Sequence, residues 1–391
     1  MIPLSKKKIV LLGMYSKMPV AGVAWLVAQY MVGFRRLGYD AYYVEAHART
    51  PSMFMKSEED DASAQAAALI ESVMRRFDMN DRWAFHALHD DGRCFGLSEN
   101  QLKQLYQSAD LIINLHGGTV PQPEHSATEK LIYLETDPVE LEVELYNKDE
   151  SAIEFISPHT AFFTWGLNYG NPDCKVPVPE NLKFKPSPPP VIVDFWKPLS
   201  NGAGQTFTTI GNWRQTWNKV NFQGEVYHWS KHYEFLKFID LPARTNQAFE
   251  LALSSYDEDD KTMLEGKGWK VRHAMEFSVD MDSYRRYIIE SHGEFTVAKD
   301  QNVRLRSGWF SERSATYLAA GRPVITQDTG FSNYLPTGDG LFSFSTIAEI
   351  EQAIDSINSN YEHHCRAAYE IARDYFNYDV VLKHLLTSLG L

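Results

Sequence analysis

Short aliphatic runs alternate with longer amphipathic stretches over most of the chain. Ile9-Val10-Leu11-Leu12 is uniformly apolar and is halted by Gly13, the pattern of a strand buried on both faces. Apolar residues then recur at helical spacing over 23–37, with Gly38 as a stop, and 41–45 predicts the next strand. Strand, turn, helix and strand in that order make a crossover unit, whose strands lie parallel. Helices are predicted over 62–77 and 97–108, the second with Ser98 as its N-cap. Strands are predicted over 111–115, 131–135 and 161–165. Polar residues stand just past two of these strand ends, His116 and then Thr136-Asp137. In open parallel sheets that edge is where ligands bind.

The texture changes between 171 and 198. Pro177, Pro179, Pro186, Pro188, Pro189 and Pro190 are excluded from helix interiors and central strands, so a stiff crossing between domains is expected. The alternation then resumes. Strands are predicted over 207–210, 249–253, 295–298 and 323–326, and helices over 233–238, 282–291, 311–320, 349–357, 361–376 and 379–389. The resulting division is an N-terminal α/β domain over 1–172, a proline-rich linker over 173–198, a second α/β domain over 199–376, and a last helix within 377–391 that crosses back onto the first domain.

A length of 391 residues exceeds one ordinary core and agrees with two domains. The net charge of −13 argues against nucleic acid as the main partner, because binding to phosphate backbones normally takes a basic surface. Acidic runs at 58–61 and 257–260 read as solvated loops. Three scattered cysteines, Cys94, Cys174 and Cys365, give neither a disulfide framework nor zinc spacing and point to the reducing cytoplasm. No apolar run approaches the length of a transmembrane helix, a pattern compatible with peripheral membrane attachment.

Four segments carry candidate chemistry. In 308–330, a turn at Gly308 feeds a helix that starts with Ser311, Glu312, Arg313 and Ser314 and stops at Gly321; a strand follows and ends in Asp328-Thr329-Gly330. Unpaired amides and the positive dipole end at such a helix start suit an anion, a diphosphate included. In 210–219, Gly211 closes a strand and is followed by Arg214 and Lys219, two cations able to stabilise a leaving diphosphate. The loop after the first strand contains Gly13 and Gly22. His116 is the fourth candidate, and Asp137 and His159 are placed to serve as a general base. Asp328 suits hydrogen bonds to sugar hydroxyls. The basic–aromatic cluster His228, Trp229, Lys231, His232 carries no evident mechanism, and Asp280-Met281-Asp282 reads as a helix cap rather than a metal motif.

The 308–330 segment resembles the donor-site segment of GT-B glycosyltransferases, in which a helix bearing E-A-x-x-x-G-x-P-V runs into a strand and a glycine-containing loop. Arg214 and Lys219 match the R-x4-K spacing of the retaining members, and 110–116 has the shape of their "DVVHAHD" strand with His116 against the donor sugar. The resemblance implies two Rossmann-like domains facing each other across a cleft. It implies transfer of a sugar from a nucleotide-diphosphate donor, UDP- or another NDP-sugar, to an acceptor hydroxyl, with retention and with no metal or other cofactor. It departs at Thr316, where the family carries the glutamate that grips the ribose, and at Gly308, where the partner glutamate would fall; Glu312, one turn before Thr316, is the substitute. Other functions hosted by this fold are a nucleotide-sugar epimerase, a DNA-base glucosyltransferase and a non-catalytic nucleotide-sugar-binding protein.

Overall fold

The structure is a computed structural model that describes residues 6–46, 54–57, 59–88, 90–127, 130–197, 204–215 and 219–391. Residues 1–5, Glu58, Pro198 and the 216–218 stretch between Arg214 and Lys219 lie outside the described residues.

Eight strands build the first half: β1 (Lys8–Leu12), β2 (Asp40–Ala46), β3 (Trp83–His86), β4 (Cys94–Gly96), β5 (Leu111–Leu115), β6 (Leu131–Glu135), β7 (Ala161–Thr164) and β8 (Phe184–Pro186). They form one sheet in the order β4-β3-β2-β1-β5-β6-β7-β8, parallel except for β4. The second half contains β9 (Thr206–Asn212), a hairpin of β10 (Lys219–Phe222) and β11 (Glu225–His228), then β12 (Ala248–Ser254), β13 (Lys270–His273), β14 (Gly293–Thr296), β15 (Val324–Gln327) and β16 (Leu341–Phe344). Its main sheet runs β13-β12-β9-β14-β15-β16, all parallel. Helices cover these sheets, so the central strands are buried on both faces; Ile9 to Leu12 are entirely inaccessible.

Each sheet reverses its winding once, beside β1 in the first half and beside β9 in the second. The crevices outside the carboxyl ends at these points are the natural ligand sites of such sheets.

Part of the proline-rich stretch is itself a strand. β8 pairs with β7 at the sheet edge and ends on Pro186, a position where a missing N–H is tolerated. The acidic run at 257–260 is not a solvated loop. Asp257 caps the helix Glu258–Gly266, three acids lie in its favourable first turn, and Asp260 is buried. Gly211 does not end its strand: β9 continues through Asn212, with Gly211 opposite Leu253.

The halves are tied together along the helix Ala21–Arg36. Trp25 Nε1 donates to the Met281 carbonyl at 2.9 Å, and the Gln29 side-chain oxygen accepts from Ile192 N at 3.1 Å and from Trp196 Nε1 at 3.3 Å. The last helix, Tyr378–Thr387, packs on the same helix, close enough that a Cβ on Gly33 would lie 2.6 Å from Leu382. No helix among the described residues is long and apolar enough to cross a membrane.

Candidate functional site

A cavity of about 1250 Å³ opens between the carboxyl ends of the two sheets. The first half contributes the loop after β1 (Met14, Lys17, Met18), the start of the next helix (Gly22, Val23), the end of β5 (His116) and the turn after β6 (Thr136, Asp137). The second half contributes Trp229, Trp309, Ser311 and Glu312.

The loop after β1 is fixed by a buried acid. Glu45 accepts from Ser16 N at 3.0 Å and from the Tyr43 hydroxyl at 2.6 Å. Gly13 lies against the same tyrosine, where a Cβ would come within 2.4 Å of its ring. Gly13 therefore shapes the loop from behind, whereas Gly22 faces the cavity.

His116 stands at φ 62° and its Nδ1 lies 2.5 Å from Thr136 Oγ1. Burial lowers its pKa to about 4, so the ring is neutral at neutral pH and offers hydrogen bonds rather than strong basicity. Asp137 forms an ion pair with Lys299 of the opposite half. The Lys299 ammonium in turn lies 3.2 Å from the centre of the Trp229 ring.

Ser311 is the N-cap of the helix Glu312–Ala319, and its side chain makes no capping hydrogen bond. It faces the cavity beside Glu312, whose carboxyl is 3.3 Å from Gln29 Nε2. Burial lifts the Glu312 pKa to about 8, opposed by neighbouring Arg313, which leaves this group largely protonated at neutral pH and able to donate to a ligand oxygen. Thr316 is not at the cavity. It is fully buried and its hydroxyl bonds back to the Arg313 carbonyl at 2.6 Å. Ser314 is likewise buried, facing inward.

Several expected ligand contacts are committed elsewhere. Arg214 grips buried Asp260 bidentately at 2.7 and 2.6 Å, outside the cavity. Lys219 is exposed at the start of β10, and Gly211 has open space where a Cβ would go. The R-x4-K spacing is therefore not a diphosphate clamp here. Arg313 is held inside the second half by Glu294 at 2.5 Å, the Ile210 carbonyl at 2.5 Å and Thr296 Oγ1 at 3.1 Å. Asp328 closes its own loop, accepting from Gly330 N, Ser332 Oγ and Arg306 Nη1 at 3.0 Å each. Thr329 bonds to the Trp309 and Gly308 backbone, and Gly330 sits at φ 94° against Asn168. His159 is a core residue. Its Nε2 meets Asn114 Nδ2 at 3.1 Å and its Nδ1 lies 3.2 Å from the Ile156 carbonyl, away from the cavity.

The cation that sequence reasoning passed over is Lys231. Its ammonium lies 5.0 Å from the centre of the Trp309 ring at the cavity wall. Burial first, then Arg313 and Lys299, push its pKa well below the usual lysine value. The two nearby acids are already taken, Glu294 by Arg313 and Asp137 by Lys299. Three basic groups thus converge on two carboxylates, and the one without a partner, Lys231, has its charged form disfavoured until an anion joins it. The only sequence signal was the basic–aromatic cluster at 228–232.

This arrangement separates the two lysines and the arginine experimentally. Arg214→Ala is expected to lower the melting temperature, because buried Asp260 loses its partner, while nucleotide affinity stays within about twofold. The Asp260 pKa is depressed by Arg214. The stabilisation is therefore present above the ordinary aspartate range and fades as pH falls through the folded value, so melts of the variant and the wild type should converge in acid. Lys219→Ala is expected to change neither property.

No family model and no curated protein sequence matches the chain. Its structure is similar to that of the Anabaena HepE protein solved with UDP and glucose, at 12% identity and a TM-score of 0.56, over 98% of this chain and 99% of that one. It is also similar to an alpha-glucosyltransferase solved with UDP-glucose and DNA containing an abasic site, at 12% identity and a TM-score of 0.56, over 99% and 100% of the two chains. Sucrose-phosphate synthase from Thermosynechococcus elongatus aligns at 10% identity and a TM-score of 0.53, over 98% and 99%. At these identities the likeness establishes the fold, two Rossmann-like halves facing across a cleft as in GT-B proteins.

Proposed function

We propose that the protein is a glycosyltransferase that moves a sugar from a nucleoside-diphosphate donor, UDP-linked as in the similar structures, to an acceptor hydroxyl. The observation that carries this reading is Lys231, a lysine with no carboxylate of its own, beside Trp309, which lines the cavity where the two halves meet. A diphosphate supplies the missing negative charge. Lying between Lys231 and the first turn of Glu312–Ala319, it meets an ammonium, the Ser311 hydroxyl, the protonated Glu312 carboxyl and the positive end of a helix dipole. Charge grows on the leaving diphosphate as the glycosidic bond breaks, and these fixed groups stabilise it more in the transition state than in the ground state.

His116 and Thr136 stand across the cavity, placed to orient the sugar. His116 has lost basicity through burial and Asp137 is ion-paired, so neither is arranged as a free general base, which supports retention over inversion. Asp280 caps a helix and Asp282 pairs with Arg76, in keeping with a reaction that needs no metal at that motif. The acceptor side carries Asp137, Glu140 and Glu144, which disfavours nucleic acid as acceptor. Three free cysteines suit a reducing cytoplasm.

A thermal-shift series tests the reading. UDP is expected to raise the melting temperature, UMP to do so less, and uridine hardly at all, since the β-phosphate is what Lys231 recognises. At a ligand concentration 100-fold above Kd the gain is about 2.7 kcal/mol. Release of UDP from a UDP-sugar only when an acceptor is added would separate transfer from epimerisation and from simple binding. A flat response to every nucleoside diphosphate sinks the assignment.

A further inference from the structure

The turn at 136–139 is where the first half touches the second at the cavity. The Trp309 indole N–H donates to the Thr136 carbonyl at 3.1 Å, Lys299 pairs with Asp137, and Gln301 Nε2 reaches the Pro138 carbonyl at 3.4 Å. The same turn holds His116 through the Thr136 hydroxyl. It ends on Val139 at φ 103°, a backbone conformation that a β-branched residue adopts only under constraint.

The constraint is Glu142. Its carboxylate accepts from Val139 N at 2.9 Å and is wholly buried. Glu135, also buried, lies within hydrogen-bonding reach of Glu142 and accepts from Thr164 Oγ1 at 2.5 Å and, more weakly, from the Tyr169 hydroxyl at 3.5 Å. One oxygen of each carboxyl has no external donor, and among the described residues no cation pairs with either. The groups facing them bring hydrogen bonds but no positive charge. Tyr133 comes from β6, Tyr169, whose hydroxyl serves both acids, and Cys174 from the chain after β7, Asp137 from the turn and Glu140 from the start of the following helix; the Lys299 ammonium is engaged by Asp137. Two ionised carboxylates cannot share such a site, whereas one proton between them satisfies both orphan oxygens.

We infer that Glu135 and Glu142 hold a single proton between them and act as positioning residues, locking the 136–139 turn in the geometry that joins the two halves across the cavity. Loss of that proton leaves two buried negative charges, drives Glu142 from Val139 N and releases the turn from Trp309. The inference does not depend on the cavity taking a nucleotide sugar, because its tests read protonation and interdomain contact rather than turnover.

Burial raises the pKa of both groups, Glu135 most strongly, with Glu142 as its next cause. The folded state therefore binds more protons than the unfolded state above the ordinary carboxyl range, and stability falls as pH rises through that window. Glu135→Gln mimics the protonated acid, its amide donating to Glu142. It is expected to flatten that decline and, in a Glu312→Gln background that removes the other protonated acid, to abolish the protonated-carboxyl carbonyl band that infrared spectroscopy should detect at neutral pH. The Trp309 indole N–H resonance, assigned with Trp309→Phe, reads the contact with the turn. Read in a Lys231→Met, Glu312→Gln background, which removes the lysine beside the ring and the other protonated carboxyl of the cavity, it is expected to move with alkaline pH and to stay fixed once Glu135→Gln is added. In that background a movement that survives Glu135→Gln overturns the inference, as does the lack of a protonated carboxyl at neutral pH. Should Glu135→Gln fail to fold, Glu142→Gln reports on the same proton, since its amide donates to Glu135 and its oxygen keeps Val139 N satisfied.

Discussion

Replacing Lys231 with methionine is expected to lower kcat/KM for a nucleotide-sugar donor by about 10²- to 10³-fold, the usual loss when one fixed group that stabilises transition-state charge is removed. Methionine keeps most of the stem beside Trp309 and removes only the amine. The same variant should be no less stable than the wild type. A half-buried ammonium facing Arg313 and Lys299 without a carboxylate of its own is a cost that the fold bears for a ligand. The linkage has a definite sign. The folded lysine pKa lies below the unfolded one, so the native state binds fewer protons in that window and stability rises with pH there; the variant should show a flatter profile. A bound diphosphate reverses the shift, because an anion beside Lys231 favours its charged form. UDP binding should therefore take up protons, seen by calorimetry in buffers of different ionisation enthalpy, and the uptake should vanish in Lys231→Met. Wild-type turnover by this variant, with unchanged proton uptake, would falsify the donor site as drawn.

How far the sequence reveals this site is clear from individual residues. His116, Asp137, Ser311 and Glu312 face the cavity, each marked by its place at a strand or helix end, and Gly22, marked as part of the loop after the first strand, faces it too. Strand ends converge in parallel sheets whatever the surrounding detail, so that rule transfers. Lys231 lies beyond a hairpin that residue spacing does not reveal. The hairpin of β10 and β11 occupies 219–228 between β9 and the helix His232–Leu236, so the R-x4-K spacing falls on Lys219 in a hairpin strand. Arg214 was misread because its partner Asp260 is remote in sequence, and spacing carries no information on a distant counter-ion. The helix Glu140–Tyr146 reads E-L-E-V-E-L-Y, the two-residue alternation of a strand. It is helical because the Glu142 side chain is drawn inward to Val139 N and Glu135, a tertiary demand that overrides local pattern. The buried acid pair was invisible for the same reason, since an isolated glutamate in such a run reads as a solvated face.

Gly308→Ala is expected to cost about 2–5 kcal/mol, the largest effect of any single methyl group at the seam between the halves. Gly308 adopts φ 81°, where an L-residue pays about 1–2 kcal/mol. A Cβ there would lie 2.1 Å from Asn168 N, 2.7 Å from Asn168 Cβ and 2.8 Å from the Leu167 carbonyl carbon. These are largely backbone atoms of the opposite half, with no flexible side chain to swing away, so overpacking adds about 1–3 kcal/mol. The neighbouring bonds fail together. Asn168 N donates to the Ser307 carbonyl at 3.2 Å, Leu167 N to the Gly308 carbonyl at 3.3 Å, and Gly308 N to the Thr329 carbonyl at 2.7 Å, while Gly166 and Trp309 form a bridge across the seam. Relief of the clash must part the halves here, which pulls Trp309 off the Thr136 carbonyl and opens the cavity. Denaturant unfolding should show the stability loss, and small-angle scattering should show a larger radius of gyration. Gly211→Ala is the matched control: nothing lies within 4 Å of its Cβ position and its φ is not positive, so its stability should stay within about 0.5 kcal/mol of wild type. If the two variants unfold alike, the seam is looser than its hydrogen bonds imply, and the closed cavity is not the resting geometry of the protein.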